Sequence, residues 1–255
     1  NQDGSIQVQL GATEIGQGAD TVFSQMAAQT TGISFEHVYI VSTQDTDTAP
    51  FDTGAYASRQ TYVSGMAVKK CGEALKARIL DYASFMLDGR PVDELDVDHD
   101  FVIEKETGKE LIDMPTLAVT AFYSLERSEH ITAEVTNQCR DNSFASGCCF
   151  VDVEVDMPLG KVTVKEIVNV HDSGMLMNPK LAEAQVHGGM SMGLGYGLSE
   201  EFIYSDKGKP LNDNLLDYKI PTAMDTPDLN VKFIQLDDPT GPYGNKSLGE
   251  PPTIP

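Results

Sequence analysis

The chain has 255 residues, and its 18 Lys and Arg against 39 Asp and Glu leave a net charge of −21. That length holds one large domain or two ordinary ones, and a charge of this sign and size excludes phosphate backbones and anionic lipid as partners. No stretch approaches the roughly 20 apolar residues of a membrane helix, and the opening NQDGSIQVQL carries no signal-peptide pattern. Because it opens on Asn and leads straight into a strand-like run, the chain is expected to be a fragment of a longer protein.

Ser5 to Leu10 alternates apolar and polar residues as a short strand does, and runs into GATEIGQGAD, where glycines and Gln17 precede a helical run from Thr21 to Thr30. A strand, a glycine-rich loop and a helix start offer backbone N–H groups to an anion, although without Gly-Lys-Ser/Thr this is no Walker loop. His37 to Ser42 reads as a second strand. The polar stretch Thr43 to Gln60 follows, and its Phe51, Gly54, Ala55, Tyr56 and Ala57 predict a packed loop rather than disorder. Val68, Cys71, Leu75, Ile79, Tyr82 and Met86 recur at helical spacing, and Gly89 with Pro91 beyond it ends the helix. Pro91 to Asp100 is acidic and reads as a linker or solvated turn. Phe101 to Ile112 reads as a hairpin about Thr107-Gly108, Met114 to Leu125 as a helix and Ile131 to Thr136 as a strand.

Cys149, Val151, Val153, Val155 and Met157 alternate with polar partners, and after Pro158-Leu159-Gly160 the pattern resumes from Lys161 to Val170, which predicts a long antiparallel hairpin. His171 to Gly174 turns away, and Asn178-Pro179 supplies a helix cap and a proline at the first helical position. The helix that follows carries Gly188, Gly189, Gly193, Gly195 and Gly197, a loss of propensity that predicts a close approach to its backbone. Its late glycines do not lie between a strand and a helix start, so they are not a dinucleotide fingerprint. Gln185 on this helix suits either a ligand or a loop carbonyl. Phe202 to Pro210 reads as a hairpin turn, Asp217 to Pro221 as extended and Val231 to Leu236 as a strand. The closing stretch GNKSLGEPP sets Glu250 between a glycine and two prolines, on a stiff turn held against something buried. A carboxylate so placed suits a general base, although these nine residues alone favour a surface turn with a solvated Glu. The whole reads as an α+β fold of two lobes with mixed or antiparallel sheets and packed helices, 1–124 and 125–255.

Cys71, Cys139, Cys148 and Cys149 lack Cys-x-x-Cys spacing, which excludes a disulfide framework or zinc site and fits a reducing compartment. The histidines are scattered too, so no protein metal ligands are expected and any metal would bring its own.

Five blocks in this order, GATEIGQG, TAPFDTGAYASRQTYVSG, MNPKLAEAQVHGGMSMGLGYGLSEE, LLDYKIPTAMDTP and GNKSLGEPP, resemble the molybdenum-binding subunit of the xanthine dehydrogenase family of molybdenum hydroxylases, nearest its bacterial purine dehydrogenases. The resemblance spans essentially the whole chain and corresponds to the C-terminal half of that subunit. It implies a molybdenum-pyranopterin (molybdopterin), with the cytosine dinucleotide form left open. Gly16 and Gln17 would lie near the pterin and the metal's oxygen ligands. Tyr56, Ala57, Ser58, Gln60 and Thr61 would line the pterin and its phosphate tail, Gln185 would hydrogen-bond the pterin, and Glu250 would be the base. It further implies hydroxylation of a purine such as xanthine or hypoxanthine with oxygen from water, iron–sulfur clusters and FAD on partner subunits or domains, and a cytoplasmic location. Other N-heterocycles, aldehydes, or a non-catalytic assembly scaffold remain as alternatives.

Overall fold

A computed structural model describes residues 1–41 and 45–254. The chain divides into two compact units, Asn1–Asp141 and Asn142–Pro255, each with its own sheets and helices. The α+β expectation holds, and the sheets are open.

In the first unit, β1 (Ile6–Gln9) and β2 (Val38–Val41) pair in parallel with Ile6 opposite Val38. Parallel strands need a crossover, supplied here by α1 (Ala19–Thr31), which buries Val22, Phe23 and Met26. Ser42 and Thr43, where the strand and loop were expected to meet, lie outside the described residues. A single π-helical turn, Gln60–Ser64, leads into α2 (Gly65–Met86). Val68, Ile79 and Tyr82 of the expected apolar stripe are buried, and Cys71, Leu75 and Met86 are partly covered.

Strands β3 (Leu95–Asp98), β4 (Phe101–Glu104) and β5 (Glu110–Asp113) form an antiparallel sheet in that order. The acidic stretch expected to be a linker is therefore in part an edge strand. Leu95 and Val97 turn inward at 2% and 3% exposure, while Asp96 and Asp98 face outward. The period of two was present in LDVD, but its aspartates masked it; Asp96 takes Lys76 Nζ at 2.5 Å. Helix α3 (Met114–Tyr123) starts at Asp113, whose carboxylate accepts the Thr116 N–H at 2.8 Å.

The strand expected at Ile131 to Thr136 is absent. That segment lies along α2 with alternate residues covered, and its backbone partners are side chains: Cys71 Sγ donates to Ala133 O at 3.4 Å and Arg78 to Thr132 O. Lys70 Nζ reaches Asn137 Oδ1 at 2.8 Å, and Tyr82 Oη donates to Arg127 O at 2.9 Å. Partial covering of every second residue mimics a strand without any ladder. These contacts place residues 125–141 in the first unit, so the boundary drawn at 124 falls at 141.

In the second unit, β6 (Ser146–Asp156) and β7 (Lys161–Asp172) form the expected hairpin, with Phe150 opposite Val168 and a register shift at Asp152/Val153. Strand β8 (Asp228–Ile234) adds parallel to β7, and the crossover is α4 (Pro179–Leu198). Asn178 caps α4, its Oδ1 accepting the Leu181 N–H at 3.1 Å. The core joins Ile167 of β7 to Val186, Met190 and Leu194 of α4, four residues apart on one face, with Leu229, Val231 and Phe233 of β8 beside them. Two expectations shift. His171 and Asp172 still belong to β7, so the turn begins at Ser173. The stretch from Asp217 is not extended at its start, because the Asn214 side chain accepts the Leu216 and Asp217 N–H groups and closes a turn. Among the described residues, no helix is long and apolar enough to cross a membrane.

Candidate active site

The loop after β1 is organised by a residue the sequence reading passed over. Glu14 Oε1 accepts the N–H groups of Gly16 at 2.7 Å and Gly18 at 3.1 Å, and its Oε2 accepts that of Asp20 at 3.0 Å. The donors that seemed available to an external anion at the start of α1 are thus taken by the chain's own carboxylate. Burial alone would raise the Glu14 carboxyl, but these backbone bonds outweigh it and hold it below the usual range. Gly16 crests this loop, exposed, at φ 99° and with open space where a side chain would stand.

Gln17 and Gln60, predicted separately, are brought into direct contact. Gln17 Nε2 donates to Thr13 O at 2.9 Å and to Gln60 Oε1, and its Oε1 accepts the Ile15 N–H at 2.7 Å. Gln60 Nε2 shares the same Thr13 carbonyl at 3.0 Å. Gln60 opens the π-helical turn, in which Thr61 is half-buried. Just before it, Ala57 and Ser58 both sit at φ 52°, a left-handed conformation costing side-chain-bearing residues about 1–2 kcal/mol each. On either side of them the loop is tied by Asp52, which pairs with Arg59 and accepts from the Gly54 N–H at 3.0 Å and Ser64 Oγ at 3.1 Å. Burial opposes the Asp52 charge, yet the Gly54 N–H and Arg59 keep its carboxyl below the usual range. Tyr56 stands on the exposed side of this loop.

In the second unit, Gln185 lies half-buried on α4 with no hydrogen-bond partner among the described residues, three residues before Gly188, whose absent side chain leaves open space. His187 Nε2 is buried nearby without a partner among the described residues. The close approach to α4 comes from the chain's own end. A Cβ on Gly189 would stand 2.5 Å from Pro252 Cβ. Pro252 is buried, and its carbonyl accepts Asn169 Nδ2 at 3.3 Å.

Glu250 itself is exposed, which corrects the expectation of a carboxylate held against something buried. Its position is nonetheless fixed. Its carbonyl accepts the Thr253 N–H at 3.1 Å and Thr253 Oγ1 at 2.8 Å, which closes the one-turn helix Pro251–Thr253. Upstream, Lys246 Nζ meets Asp172 Oδ2 at 2.5 Å, with both side chains only 12% and 10% exposed. His171, 1% exposed, leans over Gly147, where a Cβ would meet its ring at 2.6 Å. Neither ring nitrogen has a partner among the described residues, and burial pushes its pKa down. Asn169, Asp172 and Lys246 escaped the sequence reading, although the alternation through β7 that carried Ile167 inward also points to Asn169 and His171.

The molybdopterin cofactor-binding domain model matches residues 1–227. The chain belongs to this molybdopterin cofactor-binding family. It is 50% identical over its whole length to the putative xanthine dehydrogenase molybdenum-binding subunit XdhA of Escherichia coli K12, of which it spans 34%. It is 33% identical to the probable hypoxanthine oxidase XdhD of the same organism, with 97% of this chain and 26% of that one covered. Among solved structures it resembles quinoline 2-oxidoreductase from Pseudomonas putida 86, with a TM-score of 0.89 at 26% identity, covering all of this chain and 33% of that one. The Cu,Mo-containing CO dehydrogenase gives a TM-score of 0.88 at 27% identity, covering all of this chain and 32% of that one. The chain therefore spans about a third of the length of the curated relatives it matches.

The residues present fit the family's cofactor. Gln185 offers an unpartnered amide beside the open face at Gly188. Neutral amides of this kind match a heterocycle rich in donors and acceptors.

Proposed function

We propose that this chain supplies part of the cofactor-binding and catalytic residues of a molybdenum hydroxylase large subunit that oxidises a purine, xanthine or hypoxanthine, at an electron-poor carbon. The observation that carries the reading is the 50% identity to a xanthine dehydrogenase molybdenum-binding subunit across the entire chain, and the identity to a probable hypoxanthine oxidase points to the same substrate class. When bound, the cofactor supplies the two-electron oxidation and the activation of water. Gln185 would hydrogen-bond it through its amide, Gln17 would lie near the pterin and the metal's oxygen ligands, and Gln60 would line the pterin and its phosphate tail. Tyr56, Ala57, Ser58 and Thr61 line the pterin and its phosphate tail, with Gly16 leaving room for its approach. Glu250 accepts the proton released as the carbon is hydroxylated, and its fixed turn removes the entropy of searching for that position. Iron–sulfur clusters and FAD on partner subunits or domains would take up the electrons, and the protein would act in the cytoplasm.

A second reading, hydroxylation of another N-heterocycle, draws on the likeness to quinoline 2-oxidoreductase. The test is turnover of xanthine, hypoxanthine, quinoline and an aldehyde by the full-length complex, with molybdenum and pterin measured alongside in wild type and Gln185→Ala. The reading expects a purine to be the best substrate and the variant to lose pterin. Preferential turnover of quinoline overturns the purine assignment, and full pterin occupancy in Gln185→Ala overturns the cofactor contact.

A further inference from the structure

The stretch from Asn245 to Pro252 is pinned at both ends to β7, with Glu250 between the two attachments. At the first attachment, Asn245 bridges Gly174, the Lys246 N–H donates to Ser173 O at 2.8 Å, and Lys246 Nζ meets Asp172 at 2.5 Å. Asp172 is itself fixed, its Oδ1 accepting the Gly174 N–H at 3.1 Å and the Leu236 N–H at 3.3 Å. At the second attachment, Pro252 packs closely against Gly189 of α4 and its carbonyl accepts from Asn169 Nδ2, from a residue with no exposed surface.

A nearly buried ion pair is weak evidence for stability, because an apolar pair of similar volume often serves as well, so its presence asks for a role in specifying geometry. A buried amide that spends its donor on one carbonyl while its Oδ1 stays unpartnered among the described residues asks the same question. Both groups act on the short segment that carries Glu250. We propose that Lys246, through Asp172, and Asn169, through the Pro252 carbonyl, are positioning residues that fix the Glu250 carboxylate for proton transfer. This inference rests on the assignment of Glu250 as the base.

The test uses the full-length molybdenum subunit in its holoenzyme, with xanthine as substrate, and compares Lys246→Met, Lys246→Arg, Asn169→Ala, Glu250→Gln and the double variant Lys246→Met/Glu250→Gln. Misplacement of a reacting group by about 1 Å can cost about a hundredfold. Lys246→Met and Asn169→Ala are therefore expected to keep their molybdenum and the KM for xanthine while kcat falls by about tenfold to a hundredfold. Lys246→Arg should recover most of the loss, and Lys246→Met should cost nothing further once Glu250 is already Gln. Independently of turnover, hydrogen exchange should quicken in Lys246→Met over peptides covering 245–254 and not elsewhere.

Unchanged exchange at 245–254, unchanged kcat in Lys246→Met beside a collapsed Glu250→Gln, or loss of molybdenum from Lys246→Met would each overturn the positioning role alone. The same holds if Lys246→Met costs the same factor in the Glu250→Gln background. Full turnover by Glu250→Gln would instead overturn the base assignment, and the positioning role with it.

Discussion

Gly188 and Gly189 are neighbours on α4, equal in helix propensity and opposite in surroundings, so alanine at each position separates the propensity argument from the packing argument. At Gly188 an added Cβ meets nothing within 4 Å, and Gly188→Ala should gain the full helix propensity of about 1 kcal/mol. At Gly189 the same atom would stand 2.5 Å from Pro252 Cβ, 3.0 Å from its carbonyl carbon and 3.3 Å from its Cα. Those are ring and backbone atoms of a buried proline, with no flexible end to yield. The propensity gain of about 1 kcal/mol is then set against about 1–3 kcal/mol of overpacking. A further loss of about 1–3 kcal/mol follows if Pro252 moves far enough to leave the Asn169 amide unpaired. The net is a loss of about 2 kcal/mol, or roughly 4–8 °C in Tm for a chain of this size, against a gain of roughly 2–4 °C for Gly188→Ala. Thermal unfolding of the cofactor-free chain followed by circular dichroism reads both. If both alanines stabilise, Pro252 does not rest on α4 and the account of how the chain's end is held is wrong.

Three more outcomes follow from the same contacts. Asp172→Asn leaves Lys246 nearly buried without its counter-charge and should cost about 3–5 kcal/mol in urea unfolding at pH 7. Since the Lys246 ammonium and two backbone N–H groups outweigh burial and hold the Asp172 carboxyl below the usual range, its contribution is present above that range and lost as the pH falls through the lowered value, so the gap between wild type and variant should close only below about pH 4. Glu14→Ala removes the acceptor for the opening N–H groups of α1 and should cost about 1–2 kcal/mol, read by the same unfolding experiment. Asp52→Ala frees Arg59 and the Gly54 N–H, and should expose peptide 52–60 to faster hydrogen exchange while α2 beyond Val68 keeps its protection.

The sequence was most readable where periodicity met an unambiguous terminator. The β6–β7 hairpin and the Asn178-Pro179 start of α4 both follow from residues within one element. The errors share a cause in long-range partners. Ile131 to Thr136 alternates because it leans on α2, and a period of two cannot tell a ladder from a segment whose carbonyls are met by Arg78 and Cys71. Leu95 and Val97 were hidden by intervening aspartates, one of which is neutralised by Lys76 from a distant helix. In the candidate site the resemblance named Gln17, Gln60, Gln185 and Glu250, but nothing local tied Gln17 to Gln60. Asn169, Asp172 and Lys246 remained unnoticed because their significance lies in pairings between residues at least 74 apart in the chain. The glycines of α4 were read correctly as a sign of close approach, and the approaching group proved at Gly189 to be the chain's own Pro252.

The central claim is that Glu250 takes the proton, and it is tested most directly by xanthine-dependent dye reduction in the full-length complex, wild type beside Glu250→Gln, with molybdenum content measured in both. The amide keeps the size of the side chain and removes the base, so the account predicts equal molybdenum and a kcat lowered by about a hundredfold or more. Equal molybdenum with undiminished turnover would contradict it.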